Sequence, residues 1–303
     1  MVSGSTGPPL GPGDKIGFVG LGRMGAQMSV RLVQAGYQVC GYDIDAITRQ
    51  ALVDAGGTAV GALTEVTAGV GAVIVMLPNS VIVDDVLIAQ GLLDAMPAGG
   101  LVIDMGSSVP DETQRLAVEA TRRGVRLMDA PVSGGVSGAR EGTLTIMVGG
   151  PPGWIGEARP ALEVLGNVVE VGPVGAGHAL KALNNLLSAS HMIASSEALV
   201  AGMRFGLDPE VMLDVINGSS GKNWSTEKKW PSYVLPGTYS AGFGLSLLVK
   251  DVRIAVELAH NMNVSSAHAE ATLREWEQAM QDLPADADHT EIARWVIERD
   301  VDA

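Results

Sequence analysis

The chain has 303 residues, 47% of them hydrophobic, a mean hydropathy of +0.24 and a formal net charge of −14. That is apolar material enough for two ordinary domains, and too much for a disordered chain. The acidic surplus repels phosphate backbones and anionic bilayers, which argues against nucleic-acid and membrane partners, and it demands local positive charge wherever a small anion is to bind. The single cysteine, Cys40, cannot close an intrachain disulfide and suits the cytoplasm; set in an apolar run, it reads as a small buried residue. Residues 1–13 are rich in Gly, Pro and Ser and lack the basic start and apolar core of a signal peptide; they are expected to be a flexible leader. The longest apolar stretch, from Val70 to Pro78, is far too short to span a bilayer.

Lys15 to Val19 is a short apolar run of strand type. Gly20-Leu21-Gly22-Arg23-Met24-Gly25 follows, then an amphipathic helix to about Ala35, ended by Gly36 as a C-cap. Gln38 to Tyr42 is a second strand, closed by Asp43. The alternation continues with a helix over Ile47–Ala55, a strand from Ala72 to Leu77 ended by Pro78, a strand over Leu101–Asp104 and a helix over Asp111–Arg123. Strands at Arg126–Pro131 and Thr143–Val148, a helix at Gly153–Leu165 and a strand at Val168–Val171 complete it. The pattern predicts an α/β, Rossmann-type parallel-sheet domain over residues 14–174. From Ala179 onward strand patterns vanish. A long helix, Ala179–Phe205, leads to helices at Pro209–Asn217, Leu245–Met262, Ala267–Asp282 and Thr290–Arg299. Residues 175–303 are therefore expected to form an all-helical domain that begins with an interdomain helix and serves substrate binding and oligomerisation.

The glycine fingerprint follows an apolar strand, opens a helix, and has an acid 23 residues after its first glycine. Gly20 permits the tight turn, Gly22 lets the backbone approach a pyrophosphate, and Gly25 lets helix and strand pack closely. Residues 20–25 are thus candidate dinucleotide contacts. Asp43 stands where a carboxylate accepts the ribose hydroxyls and repels a 2′-phosphate, which favours NAD over NADP. Asp43 can instead cap a helix starting near Ala46, and Arg49 can reach a 2′-phosphate, so NADP use stays open. Met76-Leu77-Pro78-Asn79-Ser80 and Asp104-Met105-Gly106-Ser107 sit at strand ends, where ligands bind in such sheets; plain turn chemistry is the other reading of both.

In Asp129-Ala130-Pro131-Val132-Ser133-Gly134-Gly135, two glycines after a serine leave N–H groups to cradle an anion, with the Ser133 hydroxyl as a further donor. A carboxylate is the natural guest; a simple Gly-Gly turn is the other reading. Lys181 and Asn185 lie one helical turn apart and share a face. Ala179, Leu180, Ala182 and Leu183 around Lys181 suggest a helix buried on most sides, in which a lysine needs a role or a partner. Desolvation there would suit it to exchange a proton with an alcohol. Lys250-Asp251 interrupts an apolar helix, either as a surface ion pair or as a cation near cofactor or substrate. Ser219-Ser220-Gly221-Lys222-Asn223-Trp224 reads as a turn at a substrate entrance, with Trp224 equally able to be core. The histidines show no metal-ligand spacing, so no metal is expected.

Taken together, Gly20–Gly25, Asp129–Gly135, the stretch Gly175-Ala176-Gly177-His178-Ala179-Leu180-Lys181-Ala182-Leu183-Asn184-Asn185 and Lys250-Asp251 resemble the β-hydroxyacid dehydrogenase family, over nearly the whole chain from Lys15 to about Arg299. The resemblance implies that Lys181 is the catalytic acid/base, that Asn185 orients the substrate, and that Ser133, Gly134 and Gly135 bind its carboxylate. It implies that Leu77, Pro78, Ser107 and Lys250 approach the cofactor, and that the protein is a homodimer or homotetramer. The expected activity is reversible oxidation of a small β-hydroxyacid with NAD. Decarboxylating relatives carry a glutamate seven residues after the lysine, where this chain has Ser188, and imine reductases replace the lysine. An imine or ketone reductase of the same fold and a non-catalytic dinucleotide-binding regulator are the competing readings. Gly106 stands where relatives usually have serine.

Overall fold

The computed structural model describes residues 7–299, which divide into two compact units that meet between Lys181 and Ala182. Of the expected flexible leader, residues 1–6 lie outside the described residues. Residues 7–13 are anchored rather than loose. Leu10 is buried, its N–H donates to the carbonyl of Glu157, and its own carbonyl accepts the Tyr37 hydroxyl. The N–H of Gly7 donates to Glu157 Oε2 at 2.7 Å.

The first unit is built on a nine-stranded sheet. β1 (Lys15–Val19), β2 (Gln38–Tyr42), β3 (Thr58–Ala59), β4 (Ala72–Val75), β5 (Leu101–Asp104) and β6 (Arg126–Asp129) run parallel in the order β3-β2-β1-β4-β5-β6. β7 (Val132–Ser133) continues the line of β6, and both pair with β8 (Leu144–Gly149), which runs antiparallel to them. β9 (Gly166–Gly172) pairs parallel to β8. The sequence alternation foretold the parallel part and was silent on the reversal at β8.

The continuous apolar runs are explained by burial on both faces. Ile16, Phe18, Ile74 and Ile103 enter one core cluster, while Val19, Val73, Val75 and Val102 enter the other. Successive side chains of one strand thus feed opposite layers. α1 (Arg23–Gln34) packs Met28 and Leu32, both fully buried, on the first face. α2 (Gln50–Asp54) is shorter than expected, because Asp43 and Asp45 hold the chain in side-chain-stabilised turns up to Ile47. α3 (Ser80–Asp84), its wide-turned continuation Asp85–Ala89 and α4 (Leu92–Ala95) fill a stretch the sequence left unassigned. α5 (Pro110–Arg122), α6 (Gly135–Glu141) and α7 (Pro152–Leu165) complete the layers.

α8 (Ala176–Phe205) runs 30 residues, starting in the first unit and continuing through the second. In the second unit α9 (Pro209–Asn217), a helical stretch Ser225–Val234 with wide π-type turns, α10 (Leu245–Asn261), α11 (Ala267–Asp282) and α12 (Glu291–Glu298) follow. Their core joins Trp230, Trp276, Leu248, Val252 and Ile292 to Ala189 and Met192 of α8. The stretch Ser225–Val234 was not foreseen, because Pro231 and its mixed charges hide the periodicity.

Candidate functional site

The glycine loop takes its shape from contacts that only glycine tolerates. Gly20 has φ +92°, and a Cβ there would collide with the Met76 carbonyl oxygen. A Cβ on Gly25 would collide with the Gly20 carbonyl oxygen, so helix and loop touch backbone to backbone. Gly22, in contrast, faces open space and is the N-cap of α1, with no side chain capping that helix. A helix N-terminus left with its own N–H groups beside a bare glycine is an anion cradle, and it fits a dinucleotide pyrophosphate. Leu21 is buried beneath the loop; Arg23 is exposed and Met24 half-buried.

Asp43, at the end of β2, accepts the Leu21 N–H at 2.6 Å and the Asp45 N–H at 2.9 Å. The helix it would have capped starts only at Gln50, so the capping reading fails and the carboxylate instead ties strand end to glycine loop. Arg49 donates to the Val60 carbonyl and lies over the Tyr42 ring. Cys40 is buried in β2, where burial pushes its thiol pKa up, as suits a small core residue.

The other strand-end loops meet the glycine loop at the same edge. Leu77 is half-buried, with its side chain against Gly20, and Pro78 is exposed. Gly106 is explained by Leu77: a Cβ at 106 would lie 2.6 Å from the Leu77 carbonyl oxygen. The Val109 N–H donates to Ser80 Oγ, tying the two loops. Ser107 is half-buried beside Ser108, whose hydroxyl donates to Asp104 Oδ2. Ser133 is half-buried at the end of β7, and Gly134 and Gly135 follow with φ +134° and +66°, opening α6. The simple turn reading is too small for this segment, which begins a helix.

Beneath this edge lies a buried polar cluster. Asp129, at the end of β6, accepts the Gly175 N–H at 2.7 Å and the His178 N–H at 2.9 Å. It therefore caps the first turn of α8 from the end of β6. Burial pushes its carboxyl above the usual range, against the opposing pull of His178 and the two N–H donors. The buried His178 ring shares a 2.8 Å hydrogen bond between Nδ1 and Thr113 Oγ1, and its Nε2 lies 3.8 Å from Asp104 Oδ2. The fixed first turn of α8 carries Lys181 one turn later. Lys181 is partly exposed, and Leu180, Leu183 and Leu187 are 41%, 39% and 58% exposed. The expectation of a helix buried on most sides is corrected: its apolar residues recur every three or four positions along an open face.

In the second unit, Asn185 is buried and its Nδ2 donates to Asp251 Oδ2 at 2.6 Å. Lys250 Nζ lies 2.8 Å from the other oxygen, Asp251 Oδ1. Asp251 is 1% exposed, so the Lys250-Asp251 pair is internal and not a surface ion pair. Trp224 is 61% exposed at the head of the Ser225–Val234 stretch, so it is not core. Its turn is pinned by Asn223, whose Oδ1 accepts the N–H groups of Ser225 and Thr226. Lys229, from the same stretch, is buried and donates to Ser188 Oγ at 2.9 Å. No spacing in the chain announced the anchoring roles of Asp129 and Asp251, or of Lys229. Both acids stood inside quoted motifs, but an acid's partner across a fold is invisible to spacing. Among the described residues no group of His, Cys, Asp and Glu is placed to hold a metal, and no helix is long and apolar enough to cross a membrane.

The profile of the NAD binding domain of 6-phosphogluconate dehydrogenase matches residues 15–173, and that described as NAD-binding of NADP-dependent 3-hydroxyisobutyrate dehydrogenase matches residues 175–296. The chain is similar to 2-(hydroxymethyl)glutarate dehydrogenase of Eubacterium barkeri, 39% identical over 82% of this chain and 84% of the relative. It is also similar to NAD-dependent L-serine dehydrogenase of Pseudomonas aeruginosa, 38% identical over 81% and 85%. Among solved structures, Mycobacterium tuberculosis 3-hydroxyisobutyrate dehydrogenase, determined with L-serine, superposes with a TM-score of 0.87 at 30% identity, covering 94% of this chain and 99% of the other.

Proposed function

The chain belongs to the β-hydroxyacid dehydrogenase family of NAD(P)-linked oxidoreductases acting on CH–OH groups, and from that premise we propose that it oxidises a short β-hydroxyacid reversibly to the semialdehyde or ketone. The observation that carries the reading is Lys181 and Asn185, one turn apart on α8, a helix whose first turn is pinned by Asp129. Lys181 takes the hydroxyl proton as the alcohol is oxidised and returns it in reduction. Asn185 holds that hydroxyl in line. Its Nδ2 is committed to Asp251, which fixes the orientation of the amide. Ser133 and the N–H groups of Gly134 and Gly135 hold the carboxylate, and Trp224 borders the substrate.

The dinucleotide, when bound, supplies the hydride acceptor. Residues 20–25 cradle its pyrophosphate, Asp43 takes the ribose hydroxyls, and Leu77, Pro78, Ser107 and Lys250 line the nicotinamide side. The Asp43 carboxylate favours NAD, with NADP the alternative. The buried free thiol supports a place in the cytoplasm. The open leucine face of α8 supports a homodimer or homotetramer.

The test is NAD reduction with a panel holding 3-hydroxyisobutyrate, L-serine, 2-(hydroxymethyl)glutarate and glycerate. Lys181→Ala is expected to lower kcat by about 10²–10⁴-fold while NADH affinity stays close to wild type. Retained turnover would remove Lys181 from the chemistry. Bound NADH with no turnover on any acid would favour the non-catalytic regulator, and reduction of cyclic imines but not aldehydes the imine reductase.

A further inference from the structure

We infer that His178 is a positioning residue for the redox reaction: its ring ties the helix of Lys181 to the helix that follows the Asp104–Val109 loop. The inference rests on the dehydrogenase reading above, and every residue it uses belongs to the first unit. His178 is 1% exposed and stands in the first turn of α8, three residues before Lys181, so the two share a face of the helix. Whatever fixes the rotation of α8 about its axis at His178 therefore fixes the direction in which Lys181 leaves it. Of the first three residues of α8, Ala176, Gly177 and His178, only His178 brings a polar side chain. Ring Nδ1 shares a 2.8 Å hydrogen bond with Thr113 Oγ1, and Thr113, itself 2% exposed, lies in the first turn of α5.

The ring stands where three active-site elements begin. The loop before α5 carries Ser107 and is shaped by Asp104, whose Oδ1 accepts the Gly106 N–H and whose Oδ2 accepts the Ser108 hydroxyl. His178 Nε2 lies 3.8 Å from that same Oδ2, beyond hydrogen-bonding distance. Asp129, which leads toward Ser133, accepts the His178 N–H. Beside the ring the seat is tight: a Cβ on Gly177 would lie 2.2 Å from the Met147 carbonyl oxygen and 2.7 Å from Asp129 Oδ2. As mere filling the imidazole is a poor choice. It is buried with Nε2 lacking a hydrogen-bond partner among the described residues, which costs stability that a phenyl ring would not. What the imidazole adds is the bond to Thr113, and with it a fixed register between the loop of Ser107 and the turn that carries Lys181. A misplacement of about 1 Å caused far from the reacting atoms can cost about 10²-fold in rate.

The experiment measures kcat and KM of the full-length enzyme with NAD and whichever of 3-hydroxyisobutyrate, L-serine, 2-(hydroxymethyl)glutarate and glycerate the wild type oxidises fastest. His178→Phe keeps a ring and removes both nitrogens. It is expected to lower kcat by about 10–100-fold, with KM for the acid and NADH affinity close to wild type. His178→Asn, whose amide reaches the place of Nδ1, is expected to restore most of the rate; His178→Gln, whose amide reaches the place of Nε2, is not. Thr113→Val is expected to lower kcat as His178→Phe does, and the double variant to lower it no further. A wild-type kcat in His178→Phe or Thr113→Val overturns the inference, as do losses that multiply in the double variant or a rescue by Gln in place of Asn. Thr113→Val and His178→Asn serve if His178→Phe fails to fold. An active wild type with an equally active His178→Phe refutes this inference alone, whereas bound NADH with no turnover of any of the four acids refutes the dehydrogenase reading as well.

Discussion

Asp43 shows how one side chain can hold both structure and selectivity. Its carboxylate accepts two backbone N–H groups, one from the glycine loop, and on our reading the same charge meets the ribose. Asp43→Ala is expected to lower the kcat/KM preference for NAD over NADP by roughly tenfold or more. It should also destabilise the fold by about 1–2 kcal/mol through the orphaned Leu21 N–H. An unaltered NAD-to-NADP ratio would strip Asp43 of the selective role. At this scale the sequence told most where backbone needs dictate the residue. Gly20 and Gly25 were legible one by one, because a tight turn and a packing contact each exclude a side chain there. Gly106 was noticed as a departure, and its cause, the Leu77 carbonyl pressed against it, required the fold.

At the scale of elements, α8 depends on an acid 46 residues before its cap. Asp129 closes the first turn of the helix that carries Lys181, and the strand it ends runs on toward Ser133. Asp129→Ala would leave two buried N–H groups without an acceptor, at a cost of about 1–3 kcal/mol each at most. The expected outcome is a lower Tm together with a kcat reduced several-fold or more, at nearly constant KM for NAD. A fallen Tm with an intact kcat would reduce Asp129 to a purely structural cap. The apolar strands and the well-patterned helices were readable: β1, β2, β5, α9 and α11 fall where the pattern put them. The short helices between Ser80 and Ala95, and α6 after the Ser133 loop, were not, since a turn or two of helix carries too few residues to show a period.

For the whole molecule, the open face of α8 is the feature that a single chain leaves unexplained. Leu180, Leu183 and Leu187 recur along it, and Phe205 stands 85% exposed at its end. A face of that kind invites cover by a second copy. Leu183→Glu combined with Leu187→Glu is expected to shift the mass measured by light scattering from an oligomer to a monomer. A monomeric wild type, or an oligomer indifferent to both glutamates, would refute the assembly. The sequence reading took Leu180 and Leu183 for interior residues, because composition cannot distinguish a core from an open face. The amino-terminal stretch misled in the opposite sense. Glu157 grips Arg126 through two hydrogen bonds of 2.6 and 2.8 Å, and Gly7 and Leu10 close over that pair from outside. The domain's true border consequently lies upstream of Lys15, where the family profile starts. Trimming a gene to that profile would peel the weatherproofing from a sequestered charge couple.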